Sequence, residues 1–166
     1  EDVSSHNPDV KGLLIDGEPA SAAGSCSGVD CLPGEAASCT GESCQGNVPL
    51  YESGDCADYA ACIPVCDEAK SSDCPTHDLK PILDEAKVSE EDTVFGGVEQ
   101  VWVRYYSTRS VIVREPRLVA DSTLGVLDSY GTTFRAPKTP GPFHLWAVVQ
   151  DERGGVGWAR ATVLAR

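Results

Sequence analysis

Eight cysteines crowd into the first half of the chain, and that placement constrains the fold more than any other feature. Cys26, Cys31, Cys39, Cys44, Cys56, Cys62, Cys66 and Cys74 all precede His77. The stretch that holds them is rich in Gly, Ser, Ala and Pro and poor in large apolar side chains. Such a stretch buries too little apolar area to offset its chain entropy, so it needs crosslinks. Disulfides meet that need, and they persist in oxidising compartments. Zinc is the competing chemistry. Zinc sites usually show Cys pairs with two residues between them, often with His. Here the closest pair is Cys62 and Cys66, and His77 is the only nearby His. The spacings also depart from the common ferredoxin runs. We therefore read all eight as disulfide cysteines.

Sequence alone leaves on the order of 100 pairings open. One local clue exists. The segments S-C-S-G-V-D-C (25–31) and S-C-T-G-E-S-C (38–44) share a Cys-x4-Cys spacing and a Gly two residues after the first Cys. Gly there permits a tight reversal. The expected local pairs are Cys26 with Cys31 and Cys39 with Cys44. Cys56, Cys62, Cys66 and Cys74 then pair among themselves. The chain starts with a polar, acidic segment that lacks the basic region and apolar core of a signal peptide. For an exported protein this suggests a mature or trimmed form, with a lipid anchor ahead of Glu1 left open.

Charge follows the same division. Residues 1–79 carry 15 acidic and 2 basic side chains, whereas residues 80–166 carry 11 of each, which accounts for the net charge of −13. A chain this acidic repels phosphate backbones, so nucleic acid is not the expected partner. No apolar run reaches the roughly 18–20 residues of a membrane-spanning helix. With 41% hydrophobic residues and no heptad or triplet period, the chain reads as globular.

The second half reads as strands. Residues 98–106, V-E-Q-V-W-V-R-Y-Y, place Val101, Val103 and Tyr105 on one face and Trp102, Arg104 and Tyr106 on the other. Residues 143–149 and 156–164 alternate in the same way. A period of two with β-branched and aromatic enrichment is the strand signature. D-E-R-G-G (151–155) is a natural hairpin loop between the last two runs. Shorter strands are expected at 79–83, 111–113, 117–119 and 132–135. The proline-rich 137–142 is a connection, because Pro cannot donate to a ladder. An early apolar run at 8–17 cannot be stable alone and should pair with the second half. The expected fold is all-β: an antiparallel sandwich from residues 6–17 plus 77–166, of immunoglobulin-like size. Residues 18–76 form a mostly irregular, disulfide-stapled acidic insertion, with a short helical turn possible in 55–70. Two separate domains are the alternative.

The segment P-G-P-F-H-L-W-A-V-V-Q-D-E-R-G-G-V-G-W (140–158) resembles the closing hairpin of PKD-like and other immunoglobulin-like domains of bacterial surface proteins. The N-P-D-V run at 7–10 with L-L-I-D-G at 13–17 looks like their opening strand, and V-W-V-R-Y-Y (101–106) like their central strand. The resemblance covers roughly residues 6–17 and 95–166. It implies spacing, adhesion or carbohydrate contact on secreted proteins or outer-surface lipoproteins, and it does not imply catalysis. The Cys-rich insertion is a departure from that pattern.

Candidate sites are few. A hydrolytic triad needs a nucleophile, a His and an orienting acid. His6 lies near the start, His77 at the insertion boundary and His144 on the outward face of a strand. No G-x-S-x-G, H-E-x-x-H or phosphate-cradling loop occurs. Calcium could use the acidic groups Glu90-Glu91-Asp92, Asp55 with Asp58, or Asp151-Glu152, but none has the EF-hand spacing. A solvated acidic surface is the preferred explanation, and no cofactor is expected. Trp102, Tyr106, Trp146 and Trp158 fall on the face opposite the small residues. Exposed, such a row would stack on sugar rings or anchor a protein partner. Core packing is the favoured expectation, because sandwiches of this type commonly bury a Trp. The leading functional expectation is a noncatalytic extracellular or cell-surface module that contacts protein or glycan. The runner-up is a secreted polysaccharide-active enzyme or its accessory domain, which a pocket with two carboxylates and convergent aromatics would favour.

Overall fold

The computed structural model describes residues 8–20, 25–27, 56–88, 91–92, 97–152 and 154–166. The strands are β1 (Val10–Ile15), β2 (Glu18–Ala20), β3 (Ser25–Ser27), β4 (Ala61–Ile63), β5 (Thr76–Leu83), β6 (Glu91–Asp92), β7 (Gly97–Val98), β8 (Val101–Ser107), β9 (Val111–Ile112), β10 (Arg117–Asp121), β11 (Gly125–Val126), β12 (Thr132–Arg135), β13 (Gly141–Asp151) and β14 (Val156–Ala165). A single helical turn, Glu85–Val88, follows β5. The all-β expectation therefore holds. Each run of strict alternation became a strand, and the 151–155 loop joins β13 to β14 in a hairpin paired from Gly141↔Ala165 to Gln150↔Val156.

The strands form two main sheets. One has the order β2-β1-β5-β12-β9. The other runs β11-β10-β8-β13-β14-β3, with β4 also on β14, and β6 and β7 pair separately. The early strand β1 pairs with β5 over Val10↔Leu83 to Ile15↔Leu79, as its length required.

The core lies between the two sheets. Val101, Val103 and Tyr105 of β8, Phe143, Leu145, Ala147 and Val149 of β13, and Ala159, Ala161 and Val163 of β14 face inward. Leu13, Ile15, Leu79 and Phe134 meet them from the first sheet. Phe134 and Phe143 touch across the sheets edge to face, with ring centroids 6.2 Å apart. Full burial of each large apolar side chain contributes about 1.5–3 kcal/mol. The Tyr105 hydroxyl is buried too, and it donates to the Tyr130 carbonyl oxygen at 2.6 Å.

Three local expectations change. Residues 18–20 extend the first sheet through a hairpin at Asp16 and Gly17, whose φ values of 52° and 83° are left-handed. Residues 61–63 pair with β14 in parallel register, Val163↔Ala61 to Ala165↔Ile63. A parallel pair needs a long connection, which the sequence distance between β4 and β14 supplies. The strand expected at 143 begins two residues earlier, at Gly141.

The Cys-rich stretch also contributes to the core. Disulfides join Cys56 to Cys62 and Cys66 to Cys74, so these four cysteines pair among themselves. Cys66, Cys74 and Ile63 belong to the core cluster, with Val65 packed against it. The stretch expected to be poor in buried apolar contacts thus places Ile63, Cys66 and Cys74 in the core, beside its two disulfides. The expected turn in 55–70 is a 3-10 turn at Cys56–Asp58. Cys31, Cys39 and Cys44 lie outside the described residues and Cys26 is described only as backbone, so the two Cys-x4-Cys pairs fall there.

Candidate functional site

The strict alternation of β8 and β13 builds the outward face of the larger sheet. Trp102, Arg104 and Tyr106 project from β8 on the side away from Val101, Val103 and Tyr105. Register places Trp102 opposite Gln150 and Tyr106 opposite Trp146. On the next strand Trp146 faces Arg160, Val148 faces Trp158, and His144 faces Thr162. The four predicted aromatics thus share one face. At about 3.3 Å per residue, Trp102 and Tyr106 are roughly 13 Å apart along β8.

Burial separates them. Trp102 is 40% and Tyr106 44% exposed, whereas Trp158 is 2% exposed. Trp146 is half-buried and tilts against His144, with ring centroids 5.5 Å apart. Exposure goes against the core expectation for Trp102 and Tyr106, whereas Trp158 is buried. The inward positions carry Val, Ala and Gly with Tyr105, Phe134 and Phe143, which already fill the space between the sheets. Trp158 is covered, but on the outward side and outside the core cluster.

A cleft of 410 Å³ opens at one end of this face, lined by Trp102, Arg104, Pro116, Gln150, Asp151 and Glu152. The β13–β14 loop positions its acidic side. Asp151 is buried, and its Oδ1 accepts the Gly155 N–H at 2.6 Å. The Asp151 N–H donates to the Gly155 oxygen at 3.0 Å, and Gly154 takes the left-handed φ of 87° that the reversal needs. Asp151 therefore fixes the turn, and Glu152 is the exposed carboxylate beside Trp102. Next to Pro116 in the chain, burial pushes the Glu115 carboxyl above its ordinary value while the Arg104 guanidinium pulls it down. Sequence reasoning picked Trp102, Asp151 and Glu152 separately, and the fold brings them together. It missed Arg104, Pro116 and Gln150. Of these, Arg104 was legible as a same-face neighbour of Trp102, whereas Pro116 and Gln150 arrive through strand pairing.

The other predicted groups sit elsewhere. His77 Nδ1 lies 2.8 Å from Asp16 Oδ2, and its ring packs on Phe134 at 5.4 Å. His144 Nδ1 lies 3.0 Å from Thr162 Oγ1. Burial lowers the affinity of His144 for its second proton, and the Arg160 charge adds to the effect. His6, Asp55 and Glu90 lie outside the described residues, and Asp58, Glu91 and Asp92 are described only as backbone. Among the described residues no group of three or more His, Cys, Asp or Glu side chains is placed to hold a metal ion. Among them, too, no helix is long and apolar enough to cross a membrane.

Chemically, the cleft offers one exposed indole face with planar hydrogen-bonding groups around it. Arg104 donates, Gln150 does both, and Glu152 accepts. That combination can hold a flat apolar surface that carries polar substituents at its rim. Comparison with protein-family models and with curated proteins returned no match.

Proposed function

We propose that this chain is a noncatalytic interaction module of an extracellular or cell-surface setting, an immunoglobulin/PKD-like sandwich that contacts glycan or protein through the outward face of its larger sheet. The observation that carries the proposal is the exposure of Trp102 and Tyr106 on one face, with a polar-rimmed cleft at Trp102. Large aromatics left partly in water forgo some apolar burial, and such residues dominate binding at interfaces. Two disulfides within the chain support an oxidising compartment.

A second reading rests on one specific feature: two carboxylates, Asp151 and Glu152, share the Trp102 cleft. A polysaccharide-active enzyme would use such a pair. The hydrogen bond from Gly155 to Asp151 favours the binding role, because that carboxylate already holds the turn.

Both readings are tested by one experiment. The intact chain and a Trp102→Ala/Tyr106→Ala variant are screened against arrays of oligosaccharides and of secreted proteins, and sugar solutions are assayed for released reducing ends. The proposal expects a bound ligand class that the variant loses by at least about tenfold, with no new reducing ends. Binding that survives in the variant removes the aromatic face from the account. Reducing ends lost in Glu152→Gln would establish the enzymatic reading.

A further inference from the structure

We infer that the outer face of the five-stranded sheet carries a second site, a groove for an acidic sugar unit. The groove measures 560 Å³ and opens on the other sheet from the Trp102 cleft, with residues 114–117 bordering both. Lys80 and Asp78 reach it from β5 and Thr133 from β12, while Arg114, Arg117 and Asp128 close its rim. Its volume is in the range of small-ligand sites.

Two cations of the groove are held by carbonyl oxygens and an aromatic ring. Arg117 donates from Nε and Nη2 to the Ser129 carbonyl at 3.1 and 2.6 Å. Lys80 Nζ lies 3.5 Å from the Asp128 carbonyl oxygen and 4.3 Å from the centre of the Tyr130 ring. Neither contact neutralises a charge. Arg114 is exposed, and its guanidinium makes no hydrogen bond or ion pair among the described residues, while its carbonyl accepts from Thr132 Oγ1 at 2.7 Å. Three positive charges therefore face one groove with no carboxylate within ion-pair distance among the described residues.

The rest of the lining selects the kind of anion. Asp78 and Asp128 bring two negative charges and acceptor oxygens, and Thr133 brings a hydroxyl. A ligand with many charges is repelled by those carboxylates and by the net charge of −13. A ligand with one carboxylate and several hydroxyls satisfies both sets: its anion meets the guanidinium of Arg114, and its hydroxyls donate to Asp78 and Asp128. A uronic acid unit within a saccharide chain has that chemistry.

The test uses the full chain and calorimetric titration with glucuronosyl-xylotriose, which carries one carboxylate, its methyl ester and hexaglutamate. Arg114→Ala is the informative variant, because its exposed side chain supports no packing; Lys80→Gln is the second. The inference expects glucuronosyl-xylotriose to bind, the methyl ester and hexaglutamate to bind at least about tenfold more weakly, and Arg114→Ala to lose a similar factor. Trp102→Ala is expected to leave this binding unchanged, so failure here is separate from failure at the aromatic face. The inference is overturned if glucuronosyl-xylotriose does not bind, if its ester binds equally, if hexaglutamate binds as well, or if both cation variants bind like the parent.

Discussion

Gly157 of β14 packs directly beneath the carbonyl of Pro8, where the chain leads into β1. A Cβ at position 157 would stand 1.9 Å from the Pro8 oxygen and 3.0 Å from its carbonyl carbon. The two sheets can approach here only because β14 has no side chain at that point. Gly157→Ala must displace backbone in a buried position, and overpacking of this kind costs about 1–3 kcal/mol. Urea denaturation of the variant should show a loss in that range. An unchanged midpoint would mean that β1 does not meet β14 as described.

Tyr105 offers a test of the core's one buried hydroxyl bond to backbone on β8. Its O–H donates to the Tyr130 oxygen at 2.6 Å with the ring fully buried. Burial drives the phenol's pKa far upward, so it stays protonated and donating. Tyr105→Phe leaves the Tyr130 carbonyl without this donor, and the expected loss is about 1–3 kcal/mol. Equal stability of the two proteins would show that water reaches that carbonyl.

Much of this core was legible in the sequence, and the reason is period two. In β8, β13 and β14 the alternation assigns residues to faces without any knowledge of partners. It does not say which face is inward. Here the inward face of β13 and β14 carries Ala147, Ala159, Ala161 and Gly157, small residues that allow close sheet packing, while the larger Trp146 and Trp158 take the other side. A rule that puts tryptophans in the core therefore fails for Trp102. β4 was illegible for a different reason. Three residues, A-C-I, have no measurable period, and their parallel partner lies about a hundred positions away, so only tertiary packing defines the strand. The Trp102 cleft was half legible: β8 showed its own contribution, and Gln150 came with a cross-strand register that no local pattern encodes.

The two described disulfides should differ in consequence. Cys66 and Cys74 are 7% and 6% exposed and lie in the core cluster, whereas Cys56 is only partly buried. Replacing both members of either pair with Ala releases a short loop, a loss of about 2–4 kcal/mol in the chain-entropy picture. The Cys66/Cys74 replacement also removes core packing, so it should cost more than the Cys56/Cys62 replacement. Thermal melts of the two double variants under identical conditions check the order. The reverse order would place 66–74 outside the core.

His144 should give stability an acid-side slope. Burial and the Arg160 charge lower its pKa in the folded chain. The unfolded chain, with an ordinary imidazole near about 6.5, then binds more protons than the folded one as pH falls through that value. Stability should decline as pH drops from neutral through that window, and His144→Gln should flatten the decline. Denaturation midpoints measured across this range for both proteins test it. Parallel profiles would mean that the imidazole is protonated equally well in both states.

The outward face is tested most directly by the indole N–H resonances of the three tryptophans, followed by NMR while cellohexaose, chitohexaose, xylohexaose and the proteins retained in the array screen are titrated in. The account predicts that a bound ligand shifts the Trp102 signal first and furthest, with the Trp158 signal stationary. A ligand that binds at saturation and leaves Trp102 unmoved, or three stationary indoles across the whole panel, would contradict it.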